Sequence, residues 1–204
     1  MNLQRWRAAL ALGALVGVAC NRASGGQVEA PRPSAAQAGA SGAPELPVSV
    51  PMQARADLGV AQEGSGIDGH ATFFQKPGGV LVQLEVRHAP PGNKGVHVHE
   101  HGDCSDIRHE SMGPHFAPKL ERHALPSEGA ERHIGDLGNI NVGPDGTGAL
   151  EIEVPAATLG ADASTTFLGR ALVVHSAEDT GSGAQPAGNS GAPLACGIIR
   201  ERPN

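Results

Sequence analysis

The feature that most constrains the fold is the stretch GVHVHEHGDC, residues 95–104, in which valine and histidine alternate. Successive side chains of a β-strand leave opposite faces, so Val96 and Val98 would share one face and the histidines the other. The alternation therefore predicts a strand with one apolar face and one face of imidazoles. Two imidazoles on the same face, His97 and His99, can converge on a single metal ion.

The same period of two recurs along the chain from about Met52 onward. Residues 79–88 and 148–155 alternate apolar and polar side chains, which is typical of strands with one buried face. The segments that resemble further strands are residues 70–75, 95–101, 168–175 and 195–200. Turn signals such as KPGG and GPDGTG separate them, and no segment has a convincing helical period. We expect an all-β fold, an antiparallel Greek-key barrel or sandwich.

Two predicted connections are too long for simple hairpin loops. They run from about residue 102 to 136 and from about residue 176 to 194. Long connections in a compact β domain are usually functional or disordered. The first contains His109, His115 and two further histidines, so a functional loop is favoured there.

The N-terminus predicts export from the cytoplasm. Two arginines precede the apolar run of residues 8–19, which fits a signal peptide over residues 1–19 and is too short to span a bilayer. The small residues before Cys20 resemble a bacterial lipobox, although glycine occupies the position where leucine is usual. We expect a periplasmic or otherwise extracytoplasmic lipoprotein attached to the membrane through Cys20. The alternative is plain secretion, with Cys20 incidental.

The next segment, residues 20–50, consists almost wholly of Ala, Gly, Pro, Ser and Gln, which predicts a disordered tether before a folded domain at residues 51–204. Disulfides can form outside the cytoplasm. If Cys20 is lipidated, Cys104 and Cys196 remain, and an even pair predicts one disulfide.

Charge and histidine content narrow the function further. The net charge of −6 argues against a nucleic-acid partner, because no basic stripe exists to neutralise phosphates. Seven of the ten histidines lie between residues 97 and 133. Clustered histidines are typical of metal binding.

Five phrases carry a resemblance to a known family: GVHVHEHGDC, GPHF, ERHIGDLGNI, GRALVVH and GNSGAPLACGII. In order and spacing they resemble the copper/zinc superoxide dismutases over most of residues 52–200. The cysteine that follows HVHEHGD resembles the bacterial branch of that family.

The resemblance implies a copper site, a zinc site and one histidine shared by both. The implied copper ligands are His97, His99, His115 and His175. The implied zinc ligands are His115, His123, His133 and Asp136. Asp179 would hydrogen bond to one ligand of each metal, and Cys104–Cys196 would be the family disulfide. His70, His88, His101 and His109 match no family ligand.

The implied activity is dismutation of superoxide to O2 and H2O2, in protection of the cell envelope. Copper accepts imidazole ligands and changes oxidation state, whereas zinc accepts three histidines and a carboxylate in a closed site. A non-catalytic copper- and zinc-binding or chaperone-like relative is the alternative.

One departure from the family lies near the implied copper site. Pro193 stands where family members commonly carry an arginine that attracts the anionic substrate, and residues 180–199 contain no charged side chain. We expect reduced electrostatic guidance, unless Lys119 or Arg122 supplies the missing positive charge.

Overall fold

Strands dominate the computed structural model, which describes residues 52–60, 66–106, 111–129, 131–161 and 163–202. The strands are β1 Gln53–Val60, β2 Asp68–Lys76, β3 Gly79–Arg87, β4 Gly92–His99, β5 Asp136–Val142, β6 Gly148–Pro155, β7 Ala171–His175, β8 Pro193–Ile198 and β9 Arg200–Glu201. The helices of the described residues are two short 3-10 helices, Pro126–Glu128 and Gly181–Gly183.

The predicted signal peptide, the lipidation site at Cys20 and the tether all lie outside the described residues. Among the residues that are described, no helix has the length and hydropathy needed to cross a membrane.

Eight of the strands close into a barrel. The order is β2-β3-β6-β5-β4-β7-β8-β1, and β1 also pairs with β2, from Gln53 opposite Phe74 to Leu58 opposite Gly69. Every strand pairing is antiparallel, and β3–β6 and β4–β7 join strands that are not consecutive in the chain. The predicted all-β, antiparallel Greek-key barrel is therefore confirmed.

The apolar alternation fills the barrel interior. In β3, Val80, Val82 and Leu84 are buried, whereas Gln83 and Glu85 are exposed, as the period of two predicts. Within the buried core the rings of Phe73 and Phe167 meet edge to face with centroids 6.3 Å apart. This packed interior gives the outer faces of β4 and β7 a rigid support.

From Lys94 to His99, strand β4 is buried on both faces. Val96 and Val98 lie in the core, as predicted, and the imidazoles of His97 and His99 lie on the outer face. That face is covered as well, since the two residues are 0% and 5% exposed. The described residues of two long connections cover it; we call these connections, residues 100–135 and 176–192, the first loop and the second loop.

Some strand boundaries differ from the sequence-based expectation. The strand predicted from residue 168 begins only at Ala171, and β4 ends at His99, before His101. Strand β5 was not predicted individually, because Asp136 and two asparagines interrupt its apolar pattern. Asp136 is thus both a predicted metal ligand and the first residue of a strand.

The first loop is fixed to the barrel by a disulfide. Cys104 in the loop bonds to Cys196 in β8; the Cα atoms are 5.8 Å apart, and the two residues are 92 positions apart in sequence. The predicted pairing is confirmed. The cross-link ties one end of the first loop to a strand adjacent to β7.

Candidate metal centre

Three imidazoles come from two neighbouring strands. His97 and His99 lie on β4, and His175 ends β7, which pairs directly with β4. The ring centroid of His175 is 4.9 Å from that of His97 and 5.5 Å from that of His99. The strands alone therefore bring three predicted ligands to one place.

The first loop adds a fourth imidazole, that of His115. The loop runs antiparallel to the end of β4, where His99 and His115 form an isolated bridge. The ring of His115 stacks on that of His97, with centroids 3.8 Å apart. Ring nitrogens of four residues, which we call the histidine group, lie within 4.8 Å of one another: His97, His99, His115 and His175.

Backbone carbonyls orient two of these rings. His99 Nδ1 donates to the carbonyl oxygen of Gly113 over 2.8 Å, and His175 Nδ1 donates to that of Gly191 over 2.9 Å. Each bond places the ring proton on Nδ1, so that Nε2 carries a lone pair. The two Nε2 atoms are 3.3 Å apart. Two lone pairs facing each other at this distance favour a cation between them.

A carboxylate organises the remaining predicted ligands. Asp136 Oδ1 accepts hydrogen bonds from His115 Nδ1 at 2.9 Å and from His133 Nδ1 at 3.2 Å. Its Oδ2 lies 3.0 Å from His123 Nδ1. The structure thus brings together the four predicted zinc ligands, which we call the carboxylate group: His115, His123, His133 and Asp136.

Asp179 connects the two groups, as the sequence resemblance implied. Its Oδ2 is 2.8 Å from His97 Nε2, and its Oδ1 is 2.8 Å from His123 Nε2. Asn139 holds the backbone of Asp179 from both sides, with its amide accepting from the N–H and donating to the carbonyl. Sequence reasoning missed Asn139, although it lies inside the matching phrase ERHIGDLGNI.

The donor set fits copper and zinc. Nδ1 of His97 is buried and has no hydrogen-bond partner, an arrangement that costs free energy unless a cation binds there. Four imidazoles suit copper, and three imidazoles with a carboxylate suit tetrahedral zinc.

Comparison with known proteins agrees with this geometry. The family model described as copper/zinc superoxide dismutase matches residues 67–199. The chain belongs to the copper/zinc superoxide dismutase family. Its metal cofactors are accordingly copper and zinc.

Individual relatives span most of the domain. The chain is 36% identical over 146 residues to the extracellular superoxide dismutase [Cu-Zn] of Brugia pahangi, an alignment that covers 67% of this chain and 71% of the relative. It is 40% identical over 151 residues to superoxide dismutase [Cu-Zn] 2 of Brassica juncea, covering 70% and 95%. Among solved structures it resembles the clock protein EA4, with a TM-score of 0.65, 33% identity, and coverage of 74% and 94%.

Burial and hydrogen bonding set the protonation of this superoxide dismutase site. Burial lowers the pKa of His97 to about 3, so its imidazole is neutral at pH 7. Burial also opposes charge on His123, but hydrogen bonds to Asp136 and Asp179 outweigh it and raise the pKa of His123 to about 9. Although burial raises the pKa of both carboxyls, hydrogen bonds from the histidines lower it below the usual range. Both aspartates are therefore ionised.

A cleft of about 670 Å³ opens beside the histidine group, and His99, His115 and His175 form part of its wall although each is largely buried. Pro114, Ala117 and Leu120 line it from the first loop, and Pro186 and Ala187 from the second. The described residues of the lining include the carboxylates Glu100 and Glu121 but no lysine or arginine. Lys119 and Arg122 line separate depressions on the surface.

The histidines that match no family ligand lie elsewhere. His101 is exposed beyond the end of β4, and His70 lies half-buried in β2. His88 Nδ1 is 2.7 Å from Asp68 Oδ1 on an exposed surface. None of these three joins either group, and His109 lies outside the described residues.

The two shifted histidines predict a stability maximum near pH 6.5 for protein stripped of metal by chelation. The folded state binds the His123 proton up to about pH 9, so the free energy of unfolding rises as pH falls from 9 to 6.5. Below pH 6.5 the unfolded chain protonates His97 while the folded state does not, and stability falls again. Each limb has a slope of at most about 1.4 kcal/mol per pH unit.

Urea unfolding between pH 4.5 and 9 measures both limbs. We expect His123→Gln to flatten the alkaline limb and His97→Gln to flatten the acidic one. A free energy of unfolding that changes in one direction only across this range would contradict the assignment.

Proposed function

We propose that the histidine group binds copper, that the carboxylate group binds zinc, and that His115 is shared between the two metals. The observation that carries this proposal is the position of the His115 ring. It stacks on His97 of one group, and its Nδ1 is hydrogen bonded to Asp136 of the other. The reaction is the dismutation of superoxide, and the protein acts outside the cytoplasm.

His115 would control one of the two protons that the product requires. Its Nδ1 faces Asp136, which leaves Nε2 for the histidine group. A ring nitrogen bound to a metal cannot hold a proton, so a ring shared by two metals carries neither proton. When Nε2 is not bound to a cation it would hold a proton, and it could donate that proton to the peroxide product.

The two protons that the overall reaction consumes can come from His115 Nε2 and from water. Bound copper would supply the one-electron chemistry, taking an electron from one superoxide and returning it to a second. Two superoxide ions and two protons yield O2 and H2O2, with one proton from His115 Nε2 and one from water. Asp179 fixes the His97 and His123 rings while this occurs, because it accepts a bond from each.

Electrostatic guidance of superoxide would be weak in this protein. Pro193 is buried at the start of β8, opposite His175, where the resemblance places an arginine. The lining of the cleft carries two carboxylates, of which Glu100 lies 3.1 Å from Arg170. Because charged funnels raise association rates by about tenfold or more, their absence lowers the rate and its sensitivity to salt.

The proposed location is the cell envelope. The support comes from the basic and apolar N-terminus, from Cys20 as a lipidation site, and from a relative that is named as extracellular. The Cys104–Cys196 disulfide suits an oxidising compartment. A tethered domain there would remove superoxide at the membrane surface.

The activity is tested on the purified chain loaded with both metals. We expect it to accelerate superoxide decay in stopped-flow measurements, and His175→Gln to reduce the rate at least about a hundredfold, because the histidine group loses a ring held in place by the barrel. His88→Gln, which removes an exposed histidine outside both groups, serves as the matched control and should retain the rate. Protein that holds both metals by elemental analysis without accelerating the decay would instead be a metal-binding relative.

Weak guidance is tested by restoring the cation. We expect Pro193→Arg to raise the second-order rate roughly threefold to tenfold at low salt and to steepen its decline with ionic strength. Gln83→Arg adds the same charge on the opposite barrel surface and should change neither quantity. A wild-type rate that already falls steeply with salt would mean that another cation guides superoxide.

A further inference from the structure

The loops that cover the metal centre meet at a second place, apart from Asp179. The side-chain amide of Gln185, in the second loop, forms two hydrogen bonds with the main chain of His123. Its Nε2 donates to the His123 carbonyl oxygen at 2.7 Å, and its Oε1 accepts from the His123 N–H at 3.1 Å. The amide thus satisfies both main-chain polar groups of a proposed zinc ligand, as a neighbouring β-strand would.

Glu128 makes the reciprocal connection from the first loop. Its Oε2 accepts from the N–H of Leu125 at 2.6 Å and from the N–H of Ser182 at 2.9 Å. Its Oε1 accepts from the Ser182 hydroxyl at 2.6 Å. A side chain at Gly181 would collide with the Glu128 carboxylate, and its φ of +77° favours glycine there. The second loop is therefore shaped to approach Glu128 closely.

We propose that Gln185 and Glu128 form a latch that retains zinc by positioning the main chain of His123. This inference rests on the zinc assignment proposed above. His123 lies in an irregular part of the first loop, three residues before the 3-10 helix Pro126–Glu128, so its backbone belongs to no strand. Asp179 orients the His123 ring through a hydrogen bond to Nε2. The position of the ring also depends on the His123 main chain, and Gln185 holds that main chain through two hydrogen bonds.

The latch acts on one metal group selectively. Its hydrogen bonds end on His123, Leu125 and Ser182. The histidine group is anchored separately, by strands β4 and β7 and by the carbonyls of Gly113 and Gly191. Opening the latch should therefore loosen zinc and leave copper in place. Gln185 and Glu128 are positioning residues, since neither belongs to a metal group.

The test measures zinc loss from the full chain loaded with both metals. Gln185→Met keeps the size of the side chain and removes both hydrogen bonds to His123. We expect zinc to pass to excess chelator about tenfold faster than from the wild type, in line with other residues that orient metal ligands. Gln83→Met, an exposed glutamine on β3, is the matched control and should release zinc at the wild-type rate. The Cu(II) EPR spectrum of the fully loaded variant, recorded before chelator is added, should match that of the wild type.

A second pair of variants tests the Glu128 half of the latch. Glu128→Ala removes three acceptor contacts and should also accelerate zinc loss. Glu128→Gln keeps the length and an acceptor oxygen, and its amide can donate to the Ser182 hydroxyl, so it should restore most of the retention. Zinc loss as fast from Glu128→Gln as from Glu128→Ala would contradict a hydrogen-bonding role.

The outcome separates the latch from the zinc assignment itself. Wild-type zinc retention in Gln185→Met would overturn the latch. So would equal acceleration of copper and zinc loss together with a lower melting temperature of the chelated protein, which would indicate general support of the fold. If His123→Gln retains zinc as the wild type does, the zinc assignment fails whatever Gln185 does.

Discussion

The ring of His115 lies between the two sets of side chains that we propose as metal ligands, and the rest of the site is arranged around it. It stacks at 3.8 Å on His97, which the barrel holds, and its Nδ1 bonds to Asp136 at the start of β5. Buried imidazoles and carboxylates are costly unless each is paired or bound to a cation. The barrel, the two loops and the disulfide together hold these groups close enough to pair with one another, which offsets the free-energy cost of burying them.

The two groups differ in how they are supported. Three imidazoles of the histidine group come from paired strands, which hold side chains more rigidly than loops do. In the carboxylate group only Asp136 belongs to a strand, and the histidines come from the first loop. Asp179, Asn139 and the latch residues supply the missing rigidity through hydrogen bonds between the loops. We therefore expect the copper group to be set by the fold and the zinc group to depend on contacts between the loops.

Sequence patterns predicted the parts of this molecule that depend on local periodicity. The alternation in β3, β4 and β6 predicted strands and their faces, and the family phrases predicted a set of ligands that the structure brings close together. Strand β5 was missed because Asp136 and two asparagines serve the site rather than the core. Gln185 and His123 are 62 positions apart in sequence and lie in irregular loops, so no local sequence pattern predicts their contact. Contacts of that kind depend on how the two loops fold over the barrel.

A crystal structure of the chain loaded with copper and zinc, with anomalous diffraction recorded at the absorption edge of each metal, tests the sharing of His115 most directly. We expect a copper peak among His97, His99 and His175, a zinc peak among His123, His133 and Asp136, and the His115 ring between them with one nitrogen on each. A His115 ring bound to one metal only, or to neither, would contradict it.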